Sequence, residues 1–184
     1  MNPQKTNSVR NSKSMNSWLF RLSLASVLLF SAMPASAKYG GGSGALGDPY
    51  LIATPEQLYD IGKHEEDWDK FFKLTADIDL SAYKGIQYNP IGIEYGRWFL
   101  GVFDGDGHTI SNFTFHSQTL NVGLFGFVHG TVKNVGLISV DVSGYQNVGG
   151  VAGNALRGGG NPGLISNCYV TGRVSGQYDV GVFV

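Results

Sequence analysis

The chain has 184 residues, a formal net charge of −1, and 27 glycines against a single cysteine, Cys168. One cysteine allows no internal disulfide, so a stapled mini-protein is excluded. A near-neutral to acidic chain of this length fits about one domain and makes a poor partner for nucleic acid or anionic lipid.

Residues 1–37 read as a leader. Lys5, Arg10, Lys13 and Arg21 precede the apolar stretch Leu22–Met33, and Ala35-Ser36-Ala37 supplies an A-x-A cleavage pattern. The uncharged run 22–37 is shorter than the roughly 20 residues a spanning helix needs. No transmembrane span is expected after cleavage near Ala37. Without the leader, 9 Lys+Arg face 14 Asp+Glu, a net charge of −5.

Residues 38–48, "KYGGGSGALGD", read as a flexible lead-in to a domain over 49–184. "YLI" (50–52) is a short strand. "TPEQLYDIGK" then carries a helix signal: Thr54 as N-cap, Pro55 at the first helical position, and Gln57 completing a capping box. Leu58 and Ile61 share a face, and Gly62 ends the element. "HEEDWDK" (64–70) reads as a solvated charged loop.

"FKLTADIDL" (72–80) alternates, with Phe72, Leu74, Ala76, Ile78 and Leu80 on one side and Lys73, Thr75, Asp77 and Asp79 on the other. That pattern predicts a half-buried strand. Residues 81–98 read as an aromatic, turn-rich loop with at most one short strand.

From residue 99 the chain repeats. "NVGLFG" begins at Asn121, "NVGGVAG" at Asn147 and "VGVFV" at Val180, so the period is 26 to 32 residues, lengthened once by "ALRGGGNPG". "TISN", "TVKN" and "LISN" each place an Asn two residues after a β-branched one. Glycine turns, short strands and a period in the twenties predict a solenoid, in which stacked coils bury a shared core. The repeated Asn fits either an internal amide ladder or a left-handed turn residue, and the sequence leaves both open. The chain stops on "GVFV", a few residues into a unit. The expectation is a unit cut short at that point, the alternative being a last coil that pairs with a partner.

"GLFG" (123–126) and "VGGVAG" (148–153) resemble the GLUG motif repeat. "GGGSGALGDPYLIATPEQLYDIG", "WDKFFKLTADIDLSAY", "PIG", "FLGVFDGDGHTISNF" and "NVGLFGFVHGTVKNVGL" occur in an order similar to the N-terminal part of secreted bacterial GLUG-repeat proteins. The resemblance implies an all-β, right-handed parallel β-helix with a short N-terminal capping helix, in an exported or surface protein. It also implies that the repeats are not catalytic, although such repeats accompany some immunoglobulin A peptidases.

The chemistry-bearing residues are few. Asp104 and Asp106 in "DGDGH" fail an EF-hand, whose last position here is Phe115. Two carboxylates two apart in a glycine turn have no local feature that separates their pKa values, as hydrolysis requires. Asp77 to Asp104 and Asp79 to Asp106 are each 27 residues apart, close to the repeat, so a column of four carboxylates is a candidate calcium site or acidic sugar-processing cleft. Tyr88, Tyr95 and Trp98, with Tyr83 nearby, are candidate sugar-stacking residues, against the alternative that they pack the end of the solenoid. His64, His116 and His129 stand singly. No H-E-x-x-H or G-x-S-x-G occurs. The reading is therefore a secreted or cell-surface β-solenoid with a structural or adhesive role, no catalysis of its own and no cofactor, whose partner is an extracellular glycan or protein. The alternatives are a carbohydrate-active β-helix using the Asp column and an accessory segment of a secreted peptidase.

Overall fold

The computed structural model describes residues 38–84, 88–93, 96–155 and 163–181. The leader expected at 1–37 and the insertion at 156–162 lie outside them, as does Tyr95. In chain order the described elements are β1 (Tyr50–Ile52), α1 (Pro55–Ile61), β2 (Phe71–Leu74), β3 (Ile78–Asp79), β4 (Val102–Asp104), β5 (Thr109–Ser111), β6 (Thr114–His116), β7 (Leu120–Val122), β8 (Phe125–Val128), β9 (Thr131–Lys133), β10 (Gly136–Ser143), β11 (Gln146–Gly149), β12 (Ala152–Ala155), β13 (Leu164–Ser166), β14 (Tyr169–Ser175) and β15 (Tyr178–Gly181).

Every strand pairing between these elements is parallel, and each partner lies one coil away. The walls run β1-β2-β4-β9-β13, β14-β10-β5-β3, β15-β11-β7 and β12-β8, with β6 also on β10. This is a β-solenoid of about three turns. Short strands arise because each coil must turn several corners, and glycine and asparagine allow those corners.

The core is a set of in-register columns. Tyr50, Phe72, Phe103, Val132 and Ile165 stack on one wall. Ile78, Ile110, Leu137 and Val170 stack on the next. Val122, Val148 and Val180 form a third. The alternation over 72–80 is as expected: Phe72, Leu74, Ile78 and Leu80 are buried. A corner at 75–77, however, splits the run into β2 and β3, so the two halves belong to different walls.

The helix signal holds. Thr54 Oγ1 accepts from the Gln57 N–H at 3.3 Å, and Gln57 Oε1 accepts from the Thr54 N–H at 3.2 Å. Leu58 and Ile61 are fully buried.

Two expectations are corrected. The glycine-rich segment 38–48 is tied down: the Gly40 N–H donates to Leu51 O, the Leu51 N–H to Gly41 O, and the Phe71 N–H to Gly44 O. The charged run 64–70 is not simply solvated. Glu65–Asp67 form a 3-10 turn, and Asp67 is only 4% exposed, held by Lys38 Nζ at 2.6 Å and by the Tyr39 hydroxyl at 2.8 Å. Trp68 is buried beside it and donates to Ile61 O. The contacts of Asp67 with Lys38 and Tyr39 reach back about 28 residues, beyond any local pattern.

Phe103 sits mid-column and is fully buried, against Phe125 at 5.4 Å between ring centroids. Phe103→Ala is expected to cost about 3–5 kcal/mol in urea unfolding, while Leu164→Ala, on an exposed rim, stays within about 0.5 kcal/mol.

Candidate functional site

The Asp column is the first question, and the strand register answers it. Asp104 pairs with Lys73 on one side and Lys133 on the other. Asp79 pairs with Ser111, one wall away. The four carboxylates therefore do not stack. The physical reason is unequal coil length: on the first wall the steps Phe72 to Phe103, Phe103 to Val132 and Val132 to Ile165 are 31, 29 and 33 residues. At the coils that carry these acids the steps are 31 (Lys73 to Asp104) and 32 (Asp79 to Ser111), so a 27-residue separation there joins different corners.

Each carboxylate has its own structural partner. Asp104 accepts from Asn134 Nδ2 at 2.9 Å and from the Asp106 N–H at 2.9 Å, with Lys133 Nζ at 3.0 Å. Asp106 pairs with Lys73 Nζ at 2.9 Å. Asp79 accepts from Asn112 Nδ2 at 2.7 Å and from the Ser81 N–H. Asp77 accepts from the Thr109 N–H at 2.8 Å, with His108 at 3.4 Å. Lys73, Asp104 and Lys133 thus alternate in sign up the outer face, which relieves like-charge repulsion at coil spacing.

For Asp77, Asp79 and Asp104 these partners move the carboxyl pKa downward. For Asp79 the Asn112 amide leads, and for Asp77 the Thr109 N–H leads. For Asp104, partial burial pushes the carboxyl up. The Asn134 amide, the Asp106 N–H and Lys133 together outweigh it, and the net shift is downward. A glycosidase acid needs the opposite shift.

Asparagine does two things here at once. Asn112, Asn121, Asn134, Asn147 and Asn167 all have φ between 50° and 58°. Asn147 Nδ2 also donates to Asn121 Oδ1, and Asn167 Nδ2 to Asn134 Oδ1, both at 2.8 Å. The turn residue and the ladder rung are the same residue. "TVKN" and "LISN" occupy one corner, but "TISN" does not share it: Ile110 lies under Leu137, not under Val132. Beneath "TVKN" is "VFDG". At Gly105 a Cβ would meet Asn134 O at 2.4 Å, so glycine is required there and Asp104 supplies the rung's side chain.

The aromatic candidates separate. Tyr88 is core: 4% exposed, its hydroxyl donating to Leu124 O at 2.9 Å, and its phenol pKa pushed well up by burial. Tyr83 is tied to Glu56 at 2.8 Å. Trp98 is half-buried and stacks on His129 at 4.3 Å and 11°, with Phe127 on the same slab at 5.8 Å. The parallel bridge Phe99–Val128 brings these rings together. His129 Nε2 is buried and meets no hydrogen-bond partner among the described residues. In the sequence His129 stands singly, because the only signal of its pairing with Trp98 is a register set by a bridge inside the aromatic loop.

Trp98 also lines a groove of about 360 Å³ with Glu65, Glu66, Asp69, Arg97 and Leu100. Arg97 spans it, Nη1 to Glu65 Oε1 at 2.6 Å. The Glu66 carboxyl is held down at about 2 by its backbone, Lys38 and His64. An aromatic ring, an exposed leucine and an arginine–glutamate ion pair thus share this groove. Elsewhere Ser143, His116 and Asp141 lie close together on the outer face of β6 and β10. His116 and Asp141 are about half exposed there, so the trio forms a solvated polar cluster.

The architecture defines a parallel β-solenoid repeat protein. Residues 144–175 match the model of the GLUG motif, so the chain carries a repeat of that family. It is 30% identical over 153 residues to halomucin of Haloquadratum walsbyi, covering 76% of this chain and 2% of that protein. It is 34% identical over 144 residues to a protein assigned as a Gly-rich membrane protein in Evansella cellulosilytica, covering 73% of this chain and 16% of that one. Among solved structures it is similar to one assigned as an immunoglobulin A1 protease from Bacteroides ovatus. That match has a TM-score of 0.61 and 29% identity, covering 73% of this chain and 40% of that chain. The chain thus spans a small part of each relative. No described helix is long and apolar enough to cross a membrane.

Because the folded-state pKa of Asp104 lies below its ordinary 3.8, its ionised form stabilises the fold fully above that value. That contribution is lost as pH falls through the depressed value. The thermal midpoint of the wild type is expected to fall between about pH 5 and pH 2, and Asp104→Asn to flatten part of that slope in the same melts.

Proposed function

We propose that this chain is a non-catalytic, exported or cell-surface β-solenoid module that contacts an extracellular glycan or protein. The Trp98 groove is its contact point. The observation that carries this reading is the pairing of that groove with carboxylates already committed to holding the coils together. Asp77, Asp79 and Asp104 are held ionised by amide and hydroxyl partners, which suits a scaffold and not acid catalysis. The similarity to halomucin and to a membrane-assigned protein supports a surface location, as does the A-x-A pattern at 35–37. In this reading the coils wind right-handed, as parallel crossovers overwhelmingly do, and α1 closes the N-terminal end. Calcium and other cofactors have no role in it.

The similarity to the protease-assigned chain favours a second reading, an accessory segment of a secreted peptidase. Both readings share the binding groove and differ in the remainder of the polypeptide.

Beads coated with the purified chain are expected to be retained on a subset of immobilised extracellular glycans or matrix proteins. Trp98→Ala should reduce retention roughly tenfold, as loss of an aromatic anchor does. Far-UV circular dichroism should stay unchanged. Equal retention of wild type and variant removes the groove from the account. Release of reducing sugars from any retained glycan contradicts the non-catalytic reading.

A further inference from the structure

The amide ladders share a polarity. Asn112, Asn134, Asn147 and Asn167 each direct Nδ2 to an acceptor one coil earlier in the chain. Two ladders reach an acid there: Asn112 donates to Asp79 and Asn134 to Asp104. The third column begins differently, with Asn121. Its φ is 57°, as at the other rungs, and its Oδ1 already accepts from Asn147. Its Nδ2 is thereby turned toward the preceding coil. That coil is the loop 88–93, placed there by the parallel bridge of Ile91 with Phe125, and the loop contains no acid.

A pocket of about 300 Å³ lies between Asn121 and this loop. Asn121, Thr119 and Arg97 are its polar wall, and none of its described lining residues is acidic. The Ile93 N–H donates to Arg97 O at 2.6 Å, which fixes the backbone of the arginine beside the pocket. Glu65 takes Arg97 Nη1, but a guanidinium has five N–H donors, so others remain for a ligand. The Thr119 hydroxyl shares a hydrogen bond with Ser117 Oγ at 2.8 Å and keeps capacity for one more. The other wall is apolar: Pro90, Ile93, Phe115 and Leu120, the last of them exposed.

We propose that this pocket binds a carboxylate carried on an apolar body of about one residue's size. The carboxylate takes the place that Asp79 and Asp104 hold in the other columns. It accepts from Asn121 Nδ2 and from the Arg97 guanidinium, the second a charge-assisted bond. The apolar body lies on Pro90, Ile93, Phe115 and Leu120. A sugar acid fits worse, because its hydroxyls would be desolvated against that wall without partners. Two sources share the fitting chemistry: the C-terminal end of a peptide with an aliphatic last residue, and a free aliphatic acid. The pocket adjoins the Trp98 groove, since Arg97 lines both, but its occupancy does not depend on that groove binding anything.

Titrating N-acetyl-L-leucine into the full chain, followed by nitrogen–proton correlation NMR, tests it. Saturable shifts are expected at the Asn121 side-chain amide, Leu120 and Ile93. N-acetyl-L-leucinamide lacks the charge and should bind at least roughly tenfold more weakly. Asn121→Asp keeps the left-handed turn and the acceptor for Asn147, so its thermal midpoint should not fall, while binding should be lost. Where that variant melts early, Arg97→Gln replaces it and should bind at least about tenfold more weakly. Isocaproate has the same aliphatic body without the peptide unit: weaker binding than N-acetyl-L-leucine assigns a peptide end, and equal or tighter binding a free acid. The proposal is overturned by no saturable binding up to about 10 mM, or by equal binding of acid and amide. Undiminished binding to folded Asn121→Asp or to Arg97→Gln also overturns it, as does D-glucuronate binding as tightly as N-acetyl-L-leucine. The bead assay with Trp98→Ala tests the other groove separately.

Discussion

The asparagine at the coil corner is the constraint on which this structure depends. A coil must turn sharply and must also land in register on its neighbour. The turn needs positive φ, which ordinary L-residues resist and glycine, asparagine and aspartate accept. Glycine would satisfy the turn and leave the corner without a side chain. Asparagine takes the same φ and adds an amide that donates to one coil and accepts from the next. Asn134 does this between Asp104 and Asn167. Register then follows: with the corners fixed, Phe103 falls on Val132 and Ile110 on Leu137, and the core columns close.

The ladder also explains why acids stand among the glycines of the "DGDG" turn. An amide column can end on a group that only accepts. Asp104 and Asp79 fill that role, and both carboxyls are held ionised by the amides above them. Lys73 and Lys133 balance Asp104 and Asp106 from adjacent coils. Charges that look like a site in one dimension are thus absorbed by neighbours three-dimensionally. The recognition proposed for this chain rests on the groove of Trp98 and Arg97 instead.

Much of the fold was legible because it is written in local patterns. The inward alternation from Phe72 to Leu80, the Thr54–Gln57 capping box and the glycine-spaced repeat all reappear in three dimensions. The failures share a cause, which is register. A 27-residue spacing suggested that Asp77 lies under Asp104, but insertions at corners make the coils unequal, and hydrogen-bonded pairing alone decides which residues share a face. For the same reason "TISN" looked equivalent to "TVKN", while the true rung beneath Asn134 is a glycine and an aspartate. The segment 38–48 looked mobile from its glycines. Its anchors, Lys38 and Tyr39 on buried Asp67, are long-range contacts that composition does not reveal. Likewise Trp98 was visible as a candidate, whereas its partner His129 was not.

The most direct test of the ladder is the relative stability of Asn134→Gly and Asn134→Ala, measured by urea unfolding at pH 7. Glycine keeps the left-handed turn and loses two side-chain hydrogen bonds, a cost of about 1–3 kcal/mol. Alanine loses the same bonds and adds backbone strain of about 1–2 kcal/mol, so it should be the less stable of the two. Two wild-type-like variants, or an alanine variant as stable as the glycine one, would contradict the account.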